Sequence, residues 1–157
     1  MVAGSFAVGA QTEGRRVTAV VIEAAGGKRA YAADHVVFAP GGFESGALTM
    51  DSHGTISERV FGLPLTGLDQ TDLVDGWPVH ADYWGDPQPL FRVGVRVDKS
   101  MRVLDGSGDP VYDNLYAAGG LLAGATRWRE KSGEGIALGS AVAAVDTILS
   151  RSEGSSK

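Results

Sequence analysis

The sequence predicts an α/β fold built around a β-meander, and three observations carry that expectation. The first forty residues alternate short apolar runs with glycine-bearing turns. Two later runs, HVVFAPGG and NLYAAGG, stay apolar until they reach paired glycines. The chain then closes on an alanine-rich stretch with helical spacing.

From Gly4 to Ala39 the text reads SFAVGAQ, the turn TEG, then RRVTAVVIEA, GGK and RAYAA, a meander of three strands. Val17, Ala19 and Val21 alternate with Thr18, Val20 and Ile22, which predicts apolar contacts on both faces, and Gly26-Gly27 supplies the positive φ of a tight hairpin. HVVFAPGG follows without alternation, as suits a strand buried on both faces of a parallel or mixed sheet. From Phe43 to Pro89 the chain is rich in Gly, Pro and Asp and keeps no period, which marks an irregular insertion or lid. Trp77, Tyr83 and Trp84 in it are read as buried anchors, with a partner surface as the alternative. LFRVGVRVD alternates as a strand, and Leu115 to Ala118 forms a second buried strand. Leu138, Val142, Val145 and Leu149 stand at i, i+4, i+7 and i+11, one face of a helix over Gly135–Leu149. RSEGSSK reads as a frayed tail.

The two glycine loops resemble each other. FAPGGFESGA and YAAGGLLAGA each place an aromatic, an alanine, one residue, GG, three residues, a glycine and an alanine, so Gly41, Gly42 and Gly46 correspond to Gly119, Gly120 and Gly124. Glycine after a buried strand lets backbone amides approach a ligand, and ligand sites in open α/β sheets lie at the carboxyl ends of strands. Either loop alone is equally well explained as a tight turn. Gly133 and Gly135 stand before the helix, whose free N–H groups and positive dipole end would face the loops and stabilise an electron-rich oxygen by about 0.3 to 2 kcal/mol per charge.

Bulk properties narrow the function. A chain of 157 residues, 43% hydrophobic and 21% charged, can bury roughly 70% of the surface its unfolded form exposes. A net charge of −5 argues against nucleic acid as a partner, and no apolar run approaches the roughly 18 residues that cross a bilayer. No cysteine is present, which excludes disulfides, thiolate zinc and the usual iron–sulfur ligation, so electron transfer needs an organic cofactor. His35, His53 and His80 lie far apart without ligand spacing and are read as structural or solvated; no metal site is expected.

The meander leading into DHVVFAPGGF, and NLYAAGGLLAG followed by GEGIALGSAVAA, resemble the flavoprotein superfamily of fumarate reductase and succinate dehydrogenase flavin subunits. GGFESGAL, SERVFGLPL, FRVGVRVDKSMRVL and the whole NLYAAGGLLAGATRWREKSGEGIAL block bring the resemblance nearest to the B-subunit family of anaerobic glycerol-3-phosphate dehydrogenase, over nearly the entire chain. It implies a partial FAD/NAD(P)-binding, Rossmann-like three-layer fold lacking the first βαβ unit, since no GxGxxG followed by an acidic residue occurs. The chain is therefore expected to be the carboxyl-terminal part of a flavoprotein. Residues 1–46 and 90–150 would form the flavin-binding part, 47–89 an inserted cap segment and 151–157 a disordered tail.

The same resemblance makes Gly41 and Gly42 lining for the cofactor crevice and Gly119, Gly120 and Gly124 neighbours of the ribityl or phosphate portion. Gly135, Ile136 and Ala137 would present helix amides to the pyrimidine edge of the ring. Two departures stand out: Gly120 replaces an acidic residue common in relatives, and Pro40 the more usual threonine. Arg127, Arg129, Glu130, Lys131 and Glu134 are either a solvated connection or a source of a cation that stabilises reduced flavin or steers an acidic substrate. No general base is assigned.

The implied cofactor is FAD or FMN, and whether this stretch alone holds flavin stays open. The implied reaction is oxidation of glycerol 3-phosphate to dihydroxyacetone phosphate with electrons passing towards a quinone. The implied partners are a catalytic flavin subunit and a membrane-bound iron–sulfur subunit, with a cytoplasmic location on the membrane surface. This chain is not expected to turn over alone. Two alternatives remain: a different flavin dehydrogenase or reductase, acting on a dicarboxylate or ketosteroid, and a non-catalytic, cofactor-free piece that pairs with a second copy of itself.

Overall fold

A computed structural model describes residues 4–69, 73, 76–82, 88–125 and 132–154. Strands β1 (Phe6–Glu13), β2 (Arg16–Ala24) and β3 (Gly27–Ala32) form the antiparallel meander, in the order β1-β2-β3. Gly14 (φ 56°) and Gly27 (φ 100°) make its two turns possible, because a side chain is disfavoured in that left-handed region. Val17 and Ala19 of β2 face the core, whereas β3 is exposed throughout.

Strands β4 (Val36–Phe38) and β7 (Leu115–Ala117) run parallel, with Phe38 opposite Ala117. Leu115, Tyr116 and Ala117 are fully buried, as a continuously apolar strand requires. On the far side of β7 the chain 101–103 adds antiparallel bonds: Val103 N–H donates to Leu115 O at 3.3 Å and Ala117 N–H to Met101 O at 2.9 Å.

One buried amide joins the meander to this pair. Asn114, only 1% exposed, accepts from Val17 N–H at 2.9 Å and donates through Nδ2 to Val17 O at 2.8 Å and Asp34 O at 2.9 Å. Its own carbonyl accepts Val36 N–H at 2.9 Å.

Segment 47–89, expected to be irregular, contains a short hairpin of β5 (Leu48–Met50) and β6 (Ile56–Glu58), and Leu48 and Leu63 enter the main core beside Val17 and Phe38. Three-residue strands are too short for any period to register in the sequence. The hairpin turn is held by Asp51, whose Oδ1 accepts from His53 N–H at 2.8 Å and Thr55 N–H at 2.9 Å. Trp77, expected as a buried anchor, is 51% exposed; Tyr83 and Trp84 lie outside the described residues.

The alternation of LFRVGVRVD does not become one strand. Pro89–Arg92 is a 3-10 turn, and the next residues pair briefly with three different segments, Thr66 with Gly94, Val95 with Leu122 and Val97 with Val103. The alternation still records burial, since Val93 and Val95 point inward.

A tight turn at Asp98–Arg102 follows. Burial works to raise the Asp98 carboxyl, but the amides of Arg102 and Ser100 and the Arg102 guanidinium outweigh it and hold the group below the usual carboxylate range. Nε and Nη2 of Arg102 reach Oδ2 at 2.9 and 2.7 Å. Because the folded-state value is depressed, this contribution is present above the unfolded value of about 3.9 and is lost as pH falls through the folded one. Asp98→Asn is accordingly expected to lower stability by about 0.5–1 kcal/mol at neutral pH. Urea titrations should show the gap to wild type closing below about pH 4; a gap independent of pH would contradict it.

Helix α1 spans Gly133–Gly154, which corrects two expectations: Gly133 and Gly135 lie in its first turn rather than before it, and residues 151–154 continue it rather than fraying. Residues 155–157 lie outside the described set. The buried face is also different. Leu138, Val142, Val145 and Leu149 are 69, 50, 45 and 56% exposed, while Ala144 is fully buried and Ile136, Ser140, Ala143 and Thr147 are half-buried. The helix is apolar on most of its circumference, so spacing alone identifies two stripes without saying which one packs. The small-residue stripe wins because it allows a close approach to the turn at Gly119–Leu121. By length and composition α1 is also apolar enough to cross a membrane, with mean hydropathy 1.2 over Gly133–Ser152, contrary to the reading that no such run exists. Ile136, Leu138, Val142, Val145, Ile148 and Leu149 carry most of that value, and the alanines add the rest.

Candidate functional site

Because β4 and β7 are parallel neighbours, the two glycine loops leave the same end of the sheet. The first, after Phe38, turns through Gly41 (φ 90°) into a 3-10 turn at Phe43–Ser45. A Cβ on Gly41 would sit 2.5 Å from Ser45 Oγ, and that hydroxyl donates to Gly42 O at 2.9 Å. Gly42 O also accepts Ala47 N–H at 3.1 Å, and Gly46 (φ 75°) closes the turn on Phe43 O at 3.0 Å. Turn geometry by itself therefore requires glycine at Gly41 and Gly46. Gly42 is buried beneath them.

The second loop meets the helix. Gly119 (φ 73°) is buried, and a Cβ there would lie 3.9 Å from Ala137. Its N–H donates to Ser140 Oγ at 2.8 Å, and Ser140 donates in turn to Ile136 O at 2.5 Å. Ser140 is the residue that ties the loop to α1, and sequence reasoning misses it. Its only signal is its position four residues after Ile136, where a serine hydroxyl reaches back to a helix carbonyl. Gly120 follows at the loop surface, half-buried. Gly124 (φ 75°) turns elsewhere, donating to Arg92 O at 2.8 Å.

At the tip of α1, Ile136 N–H already donates to Ser132 O at 2.9 Å, and Ala137 N–H belongs to the first i→i−4 bond inside the helix. The expectation that Ile136 and Ala137 present amides to a ligand is therefore corrected. A helix starting at Gly133 leaves the N–H groups of Gly133, Glu134 and Gly135 without intrahelical partners, so only Gly135 of the expected trio qualifies. Arg127, Arg129, Glu130 and Lys131 lie outside the described residues. Among the described residues no cluster of His, Cys, Asp and Glu has the makings of a metal site.

The result is a strip of backbone with few side chains: Gly41 and Gly42 at one strand end, Gly119 and Gly120 at the next, and α1 against Gly119 through Ala137 and Ser140. Such a strip suits a flat group carrying hydrogen-bond acceptors at its edge. The FAD binding domain family matches residues 5–136. The chain belongs to the FAD-binding domain family. Its mixture of a parallel strand pair, a meander and a helix agrees with an α/β FAD-binding fold.

Three curated relatives carry related names. The anaerobic glycerol-3-phosphate dehydrogenase B subunit of Actinobacillus succinogenes is 30% identical over 98% of this chain and 35% of its own length. Its namesake in Aliivibrio fischeri is 32% identical over 74% of this chain and 24% of its own. The probable B subunit of the same dehydrogenase in Halobacterium salinarum is 30% identical over 90% and 32%. This member of the FAD-binding domain family thus spans about a third of the length of the curated relatives it matches. No solved structure matches it significantly.

Proposed function

We propose that this chain is the flavin-holding part of an oxidoreductase subunit, with FAD rather than FMN as its cofactor. The observation that carries the reading is the family match over residues 5–136 together with the placement of both glycine loops at one sheet end. Bound FAD supplies a ring that accepts and releases two electrons. The chain's part is to hold it. Gly41 and Gly42 give the ring backbone to lie on, Gly119 and Gly120 leave room for the chain attached to it, and the first-turn amides at Gly133–Gly135 donate to its polar edge. Ser140 keeps the loop seated against the helix by occupying the Gly119 N–H.

In the whole protein we assign the reaction to oxidation of glycerol 3-phosphate to dihydroxyacetone phosphate, with electrons leaving towards a quinone. A catalytic flavin subunit and a membrane-bound iron–sulfur subunit would complete the assembly on the cytoplasmic face. The names of the relatives and the wide spread of shared residues support this. The chain by itself is expected to bind FAD without turnover. Titration with FAD, followed by flavin fluorescence, should show saturable binding that Gly119→Val abolishes. Equal binding by the variant would remove Gly119 from the site.

A second reading, a self-associating unit without cofactor, is favoured by the exposed stripe Leu138, Val142, Val145 and Leu149. Its 4-3-4 spacing is that of a helix-pairing seam. Sedimentation of a colourless protein that dimerises, and returns to monomer on Val142→Glu, would select it.

A further inference from the structure

A cavity of about 710 Å³ opens between the first glycine loop and the meander. Its apolar wall includes Phe6, Phe38, Pro40 and Val60, and its two titratable side chains are Arg59 and Glu23. It begins where β4 ends, at the carboxyl end of a parallel strand, where ligands bind in open α/β sheets.

Arg59 opens a turn that its neighbour braces. The carboxylate of Glu58 is buried, 4% exposed, and accepts three backbone N–H groups: Val60 at 2.6 Å, Phe61 at 2.8 Å and Leu63 at 3.3 Å. These bonds brace the turn that follows β6, and Arg59, the first residue of that turn, is exposed and lies on the cavity wall. Among the described residues the Arg59 guanidinium has no carboxylate or carbonyl partner. An exposed guanidinium on a braced turn, beside an apolar wall, is suited to a planar fork of hydrogen bonds to a phosphate.

We propose that this cavity receives the phosphate-bearing end of a ligand and that Arg59 is its anion-binding group. Glu23, also on the lining, disfavours a second anion and accepts from a hydroxyl or amino group on the ligand. The inference deepens the flavin reading and rests on it for the identity of the ligand. The phosphate belongs either to the diphosphate of the dinucleotide or to a phosphorylated substrate.

The test compares the chain with Arg59→Gln and Arg59→Lys, and with Arg29→Gln on the exposed meander as a charge control, using FAD, riboflavin, glycerol 3-phosphate and inorganic pyrophosphate as probes. Flavins are followed by fluorescence and the phosphates by phosphorus NMR line broadening. If Arg59 holds the cofactor, Arg59→Gln weakens FAD and pyrophosphate at least tenfold, leaves riboflavin unchanged, and Arg59→Lys restores part of the loss. If it holds substrate, the same loss appears for glycerol 3-phosphate and not for FAD. The proposal is overturned if all phosphate probes bind Arg59→Gln as they bind wild type, if riboflavin weakens as much as FAD, or if no phosphate probe binds the wild-type chain. Riboflavin and FAD both failing to bind while pyrophosphate binding still depends on Arg59 would overturn the flavin reading and leave the anion site standing.

Discussion

Replacing Asn114 by alanine is expected to lower stability by about 3 kcal/mol or more. The side chain makes no contact with solvent to speak of, and three of its hydrogen bonds cross 80 to 97 residues of sequence. Truncation leaves Val17 N–H and Val17 O buried without partners, each costing about 1–3 kcal/mol. Asn114→Asp should be at least as damaging, because Nδ2 now donates to two carbonyls and a carboxylate oxygen in its place would face Val17 O and Asp34 O. Urea denaturation of both variants measures the effect. A loss under about 0.5 kcal/mol, the range of ordinary surface substitutions, would mean that the meander is held to β7 by packing alone.

Gly94→Ala is expected to cost a comparable amount, about 3 kcal/mol, for a steric reason. Gly94 is buried, and a Cβ there would fall on the Leu121 carbonyl oxygen, 2.6 Å from Ala123 N and 2.7 Å from the Leu122 carbonyl carbon. All three are backbone, which yields less readily than a side-chain tip. The two segments cannot part freely, because Val95 N–H donates to Leu121 O at 2.8 Å and Ala123 N–H to Val95 O at 3.0 Å. Leu121 ends the Gly119–Leu121 turn, so FAD affinity should fall together with stability. Gly139→Ala is the contrast: nothing lies within 4 Å of its would-be Cβ in the exposed helix, and a gain of up to about 1 kcal/mol is expected from helix propensity. Calorimetric melting of the two variants should move in opposite directions. A Gly94→Ala protein that melts with wild type would refute the close approach.

How far the site is legible depends on distance along the chain. The matching loops at Gly41-Gly42 and Gly119-Gly120 can be read because each is a local signal, a run of apolar residues stopped by glycine. That they emerge side by side follows from the parallel pairing of Phe38 with Ala117, which no local pattern encodes. The resemblance places the presented amides at Gly135, Ile136 and Ala137, of which only Gly135 qualifies, because Ser132 accepts the Ile136 N–H and leaves Gly133–Gly135 as the donors without intrahelical partners. Ser140 and Asn114 escape sequence reasoning for a shared reason: a lone polar residue becomes informative only when its partner, 21 or 97 residues away, is known.

The amino-acid sequence alone determined the meander, the buried strand β7, the terminal helix and the family; it located β4 too, but Val37 there is 38% exposed where burial on both faces is expected. Apolar period, turn glycines and motif spacing are properties of consecutive residues. The tertiary structure decided which stripe of α1 is buried, why Gly94 tolerates no side chain and where Arg59 lies. Each of those depends on which backbone arrives opposite a given residue, and close packing between distant segments carries no periodic trace in either one.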